Sequence, residues 1–230
     1  MKCKFMLSSS STKNILMLLI CSSTLTFAAR PFITDDPGIN EPGKFEFMAA
    51  CDFWKDHATP SLQLRHGLTE RMDFGINVGY TAAPKEEQQF STVDFNMKLA
   101  LIKDILTLGV STTFGKPDYY IYSILGKAFG PIMVDANLGY SARAETKDAD
   151  FVYYAAAIYE NDHFGFGPEF GGDQEKLEWW AFGGRWHIKN WLTYDIGIGG
   201  NFKKNIKFNI TTGIDMVFPQ EKSKTIHERS

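Results

Sequence analysis

The sequence predicts an all-β fold, a transmembrane antiparallel up-and-down β-barrel of about 12 strands, and three features carry that prediction. Apolar residues recur at every second position through most of the chain, the segments so patterned are joined by links of alternating length, and an export signal precedes them. Successive side chains of a strand point to opposite faces, so alternation with period two builds one apolar wall and one polar wall. Met72-Asp73-Phe74-Gly75-Ile76-Asn77-Val78-Gly79-Tyr80 shows the pattern, with Met, Phe, Ile, Val and Tyr on one side and Asp, Gly, Asn and Gly on the other. A membrane-spanning strand needs only about 9–11 such residues, so a slightly negative mean hydropathy is compatible with the fold.

Residues 1–29 read as a secretion signal. Lys2, Lys4 and Lys13 supply its positive region, Ile15-Leu16-Met17-Leu18-Leu19-Ile20 its apolar core, and the small residues near Ala28 and Ala29 its cleavage site after Sec-type export. A lipoprotein signal is the rival, with Cys21 following the apolar run, but Leu19-Ile20 lacks the small residue such signals carry before the cysteine. Cleavage removes Cys3 and Cys21, leaving Cys51 without a disulfide partner. It also lowers the basic count from 24 to 21 against 27 acids, a net charge of −6 that argues against a nucleic-acid partner.

Residues 30–43 contain Pro37-Gly38 and Pro42-Gly43 and therefore form a loop rather than a strand. The expectation is a periplasmic lead-in, with a fold-back into the barrel mouth as the alternative. The barrel itself is expected over 44–218, with strands at 44–55, 61–68, 72–80, 92–101, 105–114, 119–128, 132–140, 151–159, 164–170, 177–188, 192–202 and 206–218. Short turns such as Thr69-Glu70-Arg71, Ile102-Lys103-Asp104 and Lys189-Asn190-Trp191 alternate with longer polar links such as 81–91 and 141–150. Short periplasmic turns and longer external loops are the layout of outer-membrane barrels. A polar tail, 219–230, follows.

The polar wall is rich in glycine and asparagine (Gly75, Gly79, Asn96, Gly109, Asn137, Gly139), which suits a crowded interior better than a solvated exterior. The apolar wall is therefore assigned to lipid, against a soluble lipocalin-like barrel with the walls reversed. Aromatic residues gather at two levels: Tyr80, Phe90, Phe114, Tyr140, Phe151 and Phe170 at the outer ends, and Phe45, Phe129, Tyr159, Phe164, Trp191 and Phe218 at the turn ends. Two such levels read as interfacial girdles.

Three stretches, TDDPGINEPGKFE (34–46), LQLRHGLTERMDFGINVGY (62–80) and YYIYSILGKAFGPIMVDANLGY (119–140), resemble the outer-membrane barrel family named for meta-pathway phenol degradation. The resemblance implies a channel for small hydrophobic or aromatic molecules. His66 departs from the tyrosine usual in that family, and the chain runs on past Phe218, the terminal aromatic that barrel-insertion machinery would recognise.

Inward charges are expected to form a lumen belt: Glu46, Arg65, Asp73 and Lys98, then Lys127 with Asp135, Arg185 with Asp195, and Asp215. With Lys189-Asn190-Trp191 as a hairpin centre, Arg185 and Asp195 stand opposite each other. No G-x-S-x-G or H-E-x-x-H motif occurs and no histidine pair has metal-ligand spacing, so neither catalytic nor metal residues are assigned and no cofactor is expected. The reading is a passive outer-membrane channel, not an enzyme, with lipid, lipopolysaccharide and the insertion machinery as partners and the permeant open. A non-transporting surface barrel using its outer loops, and a membrane lipid hydrolase depending on His66, are the alternatives.

Overall fold

The computed structural model describes residues 32–85, 88–115, 118–143, 148–202 and 208–219; the signal segment and nearly all of the polar tail lie outside the described residues. Twelve strands follow one another: β1 (Phe45–Trp54), β2 (Ala58–Thr69), β3 (Met72–Thr81), β4 (Gln89–Ile102), β5 (Leu106–Thr113), β6 (Tyr119–Phe129), β7 (Ile132–Arg143), β8 (Asp148–Glu160), β9 (Phe164–Asp173), β10 (Leu177–Lys189), β11 (Leu192–Asn201) and β12 (Phe208–Phe218). From β2 to β12 each strand pairs antiparallel with the next, and β1 returns to pair with β12. The remaining seam, β1 against β2, is held near one end by the Gly67 amide donating to the Lys44 carbonyl at 3.0 Å and at the other by Trp54 donating to His57 at 2.8 Å. The sheet thus closes on itself and leaves no edge to aggregate.

All twelve expected strands are present, and the largest differences, of three residues, all lengthen a strand. β2, β4 and β8 each begin three residues earlier than expected, and β7 and β9 end three later, all at the long-link end. There the ladder continues after the apolar alternation has lapsed, so hydrogen bonding rather than hydropathy marks the true ends. The ladder between β8 and β9 is interrupted between the pairs Ala156↔Glu169 and Tyr159↔Phe166. Pro168 falls in that interval and has no amide proton to give.

The two walls fall as the alternation requires. In β5 Thr107 and Gly109 are buried while Leu108 and Val110 are exposed; β9 repeats the pattern, with Gly165, Gly167 and Glu169 buried and Phe164, Phe166 and Phe170 exposed. A soluble barrel with the walls reversed is thereby eliminated. Both girdles are on the outer wall: Tyr80 and Phe90 have ring centroids 4.8 Å apart at the long-link end, and Trp191 and Phe218 lie 6.4 Å apart at the turn end. Phe218 itself pairs with Phe45.

Candidate functional site in the barrel lumen

The segment expected as a lead-in lies inside the barrel. Residues 32–43 form a strap across the turn end of the lumen, and each stage of its course is fixed by an inward side chain of a different strand. Phe32 is buried against Ala156 and Ile158 of β8, with Arg185 of β10 stacked 5.4 Å from its ring centroid. The amides of Ile33 and Thr34 both donate to the Glu169 carboxylate of β9, the first at 2.9 Å. Asp35 and Asn137 of β7 bond reciprocally, backbone amide to Oδ1 at 2.7 Å and Nδ2 to carbonyl at 2.8 Å. Lys98 of β4 donates to the Asp36 carbonyl at 2.9 Å and pairs with the Asp35 carboxylate at 3.2 Å. Thr107 of β5 donates to the Pro37 carbonyl at 2.6 Å, and the Asn40 amide donates to Asp73 of β3 at 3.1 Å. Irregular backbone with unpaired amides and carbonyls is costly to bury; here lumen side chains supply partners that a sheet ladder would otherwise give.

Two glycines mark where the strap touches the wall. A Cβ on Gly67 would lie 2.1 Å from the Glu41 carbonyl oxygen, and one on Gly126 would lie 2.6 Å from Pro37. Gly126→Val therefore pushes the strap off β6, and the expected result is faster dye leakage through reconstituted protein with the barrel still folded by heat-modifiability. Unchanged leakage would show that the strap yields at Pro37 without opening the lumen.

The expected charge belt exists in part. Arg65 is its centre: the guanidinium meets Glu46 at 3.2 Å and Asp73 at 2.8 Å, with all three side chains buried. Asn40 of the strap also donates to Glu46 at 3.0 Å, so belt and strap form one network. Lys98, in register with Asp73, reaches the strap. Arg185 and Asp195 are cross-strand partners as the hairpin arithmetic required, but their closest approach is 4.0 Å, a loose pair. Asp135 and Asp215 belong to the inner wall, facing Gly126 and Met48 respectively.

Lys127 is a correction. It pairs with Val134, not Asp135, and is exposed on the outer wall, where its Nζ lies 5.3 Å from the Phe129 ring centroid. Ile124 and Gly126 set the inward parity of β6, and a residue one position away necessarily faces out. Near a strand end its long stem lets the ammonium reach polar surroundings while the methylenes cover apolar surface.

Sequence reasoning missed the aromatic side chains of the inner wall. Above the strap the lumen keeps a chamber of about 730 Å³ that runs to Trp54, Trp179 and Asn201 at the long-link end. Tyr120 and Tyr122 stack along its wall at 4.7 Å, and Tyr154 and Trp179 meet at 5.7 Å. Each ring lies over a glycine: a Cβ on Gly139 would come within 2.2 Å of Tyr120, one on Gly109 within 2.2 Å of Tyr122, and one on Gly171 within 2.5 Å of Tyr154. Tyrosine in register with glycine on a neighbouring strand (Tyr122 pairs with both Gly109 and Gly139) was the available signal. Also unanticipated is a cross-strand ladder near the turns, where His187 contacts Glu160 at 2.7 Å through Nε2 and Thr193 at 3.2 Å through Nδ1. His66, the residue on which a hydrolase would depend, is stacked on Phe45 at 4.1 Å with Nδ1 at 3.1 Å from the Lys44 carbonyl.

No protein-family model matches the chain, and no curated relative matches it, so the resemblance to the phenol-degradation family rests on the three stretches alone. Solved structures do match. The chain is similar to the NanC porin (TM-score 0.56, 14% identity, covering 75% of this chain and 98% of that one) and to the KdgM porin (0.57, 6%, 74% and 98%). It is also similar to the outer membrane protein Omp33 of Acinetobacter baumannii (0.53, 7%, 76% and 98%). At these identities the likeness is one of fold, a closed antiparallel barrel of the outer-membrane type.

Proposed function

We propose that this protein is an outer-membrane channel for the passive passage of small molecules, hydrophobic or aromatic ones among them, held closed at its turn end by its own strap. One observation carries the reading: an inner wall that mixes charged and amide side chains with tyrosine and tryptophan rings encloses a continuous chamber that ends on the strap, while the outer wall is an apolar band between two aromatic girdles. A barrel of this size sits between side-chain-filled and open aqueous ones, so a dozen inserted residues suffice to close it. The porin descriptions of the structural neighbours support the reading, as does the resemblance to the phenol-degradation family. The turns and the strap then lie in the periplasm, and lipid, lipopolysaccharide and the insertion machinery acting on Phe218 are the partners. Catalysis forms no part of it, and passive diffusion calls for no cofactor.

The lipid assignment has its own test. Val110 is exposed at mid-strand between Met97 and Ile121. Val110→Arg is expected to destabilise the vesicle-inserted barrel by about 2–4 kcal/mol, the cost of a cation on the lipid face near mid-bilayer. A change below 1 kcal/mol in urea unfolding would place that face in water. For the channel itself, a liposome-swelling screen of sugars against aromatic molecules should show size-limited uptake. Uptake that stays at the protein-free level with the strap both present and deleted would favour instead a surface barrel that binds through its loops.

A further inference from the structure

We propose that the chamber above the strap is a binding site for small organic cations that carry an aromatic or apolar ring, an aryl-ammonium being the type. The proposal deepens the channel reading by naming the class of permeant, and it rests on the lumen being the passage.

Charge decides the sign. Four carboxylates line the chamber, those of Asp35, Asp52, Glu169 and Glu178, against a single guanidinium, Arg65. That guanidinium is already held by Glu46 and Asp73 at 3.2 and 2.8 Å, so it offers an incoming anion little. Asp35 is matched by Lys98, Glu169 receives two strap amides, and Glu178 has Lys176 at 3.5 Å on the exposed rim. Among the described residues Asp52 forms no ion pair with lysine or arginine. A cavity walled by low-dielectric protein focuses such an excess and concentrates counter-ions of the opposite sign.

The rings decide the shape. Tyr120, Tyr122, Tyr154 and Trp179 line the same chamber, packed over glycines of neighbouring strands. Ring faces carry negative potential and attract cations, most of all where water is partly excluded. A neutral aromatic would gain only the stacking and an aryl carboxylate would meet repulsion; an aryl-ammonium gains both contributions. The volume suits a molecule of one or two rings.

The test is calorimetric titration of the purified full-length mature barrel in detergent with phenyltrimethylammonium, benzyl alcohol and benzoate, each corrected for a protein-free micelle blank. Phenyltrimethylammonium should bind saturably and at least about tenfold tighter than either other probe. An Asp52→Asn, Glu178→Gln variant and a Tyr122→Leu variant, both shown folded by heat-modifiability, should each weaken it about fivefold or more. Equal binding of the three probes, or binding unmoved in both variants, overturns the proposal even if swelling assays show a working channel. Selective cation binding without any flux through the strap-deleted barrel would uphold the site and sink the channel reading instead.

Discussion

Deleting residues 32–39 should raise the conductance of the reconstituted barrel several-fold and convert brief or absent openings into a steady open level. The deletion removes the strap from Phe32 through Ile39 and keeps the staple at the β1–β2 seam, where the Gly43 amide donates to the Gly67 carbonyl at 2.9 Å and Gly67 to Lys44 at 3.0 Å. The groups that lose partners, Glu169, Asn137, Lys98 and Thr107, then face a lumen newly filled with water, so their solvation replaces most of the lost hydrogen bonds. The loss of stability should be small beside the gain in conductance. Glu169→Ala is the milder form of the same experiment, because it releases only the Ile33 and Thr34 amides; more frequent openings at unchanged maximal conductance are expected. Planar-bilayer recording distinguishes the two. Identical traces from the deletion and the parent chain would mean that the strap does not close the pore.

Arg65→Met should have the opposite profile, a large loss of stability. The guanidinium stands between Glu46 and Asp73, and Asp73 is fully buried. Methionine fills a similar volume but removes the cation that both buried carboxylates share, and removing one partner of a buried ion pair costs about 3–5 kcal/mol. In a barrel of this length that lowers the midpoint of heat-modifiability by roughly 10 °C. Adding Glu46→Gln and Asp73→Asn to the same chain should restore most of the loss, since the buried charges left without their cation then vanish. A loss below about 1 kcal/mol, the range of an exposed pair, would show that water reaches Arg65 and that the belt is a solvated ring rather than a structural clamp.

These two predictions separate what was readable from what was not. Arg65, Asp73 and Glu46 were assigned to one belt because parity and turn position are local properties, and the register Gly67↔Asp73 follows from a short hairpin. Lys127 shows the limit of the same rule: one miscounted residue reverses a side chain, and only the pairing of Gly126 with Asp135 fixes the count. Glu169 was passed over because a lone inward carboxylate between Pro168 and Phe170 has no sequence neighbour that explains it. Its partners are two backbone amides 135 and 136 residues away. Tyr120 and Tyr122 carry no signal in alternation alone, because alternation grades positions by hydropathy and tyrosine suits either wall.

By itself the sequence determined the barrel: strand number, which wall turns outward, and which end carries the short turns. Each of these is dictated by a period of two residues or by a turn a few residues long, and neither needs knowledge of distant chain. Only the tertiary structure decided that residues 32–43 run through the lumen rather than away from it, and that glycine notches hold aromatic rings above them. Those features come from hydrogen bonds and contacts between segments far apart in the chain, whose energies exist only once the wall has closed around them.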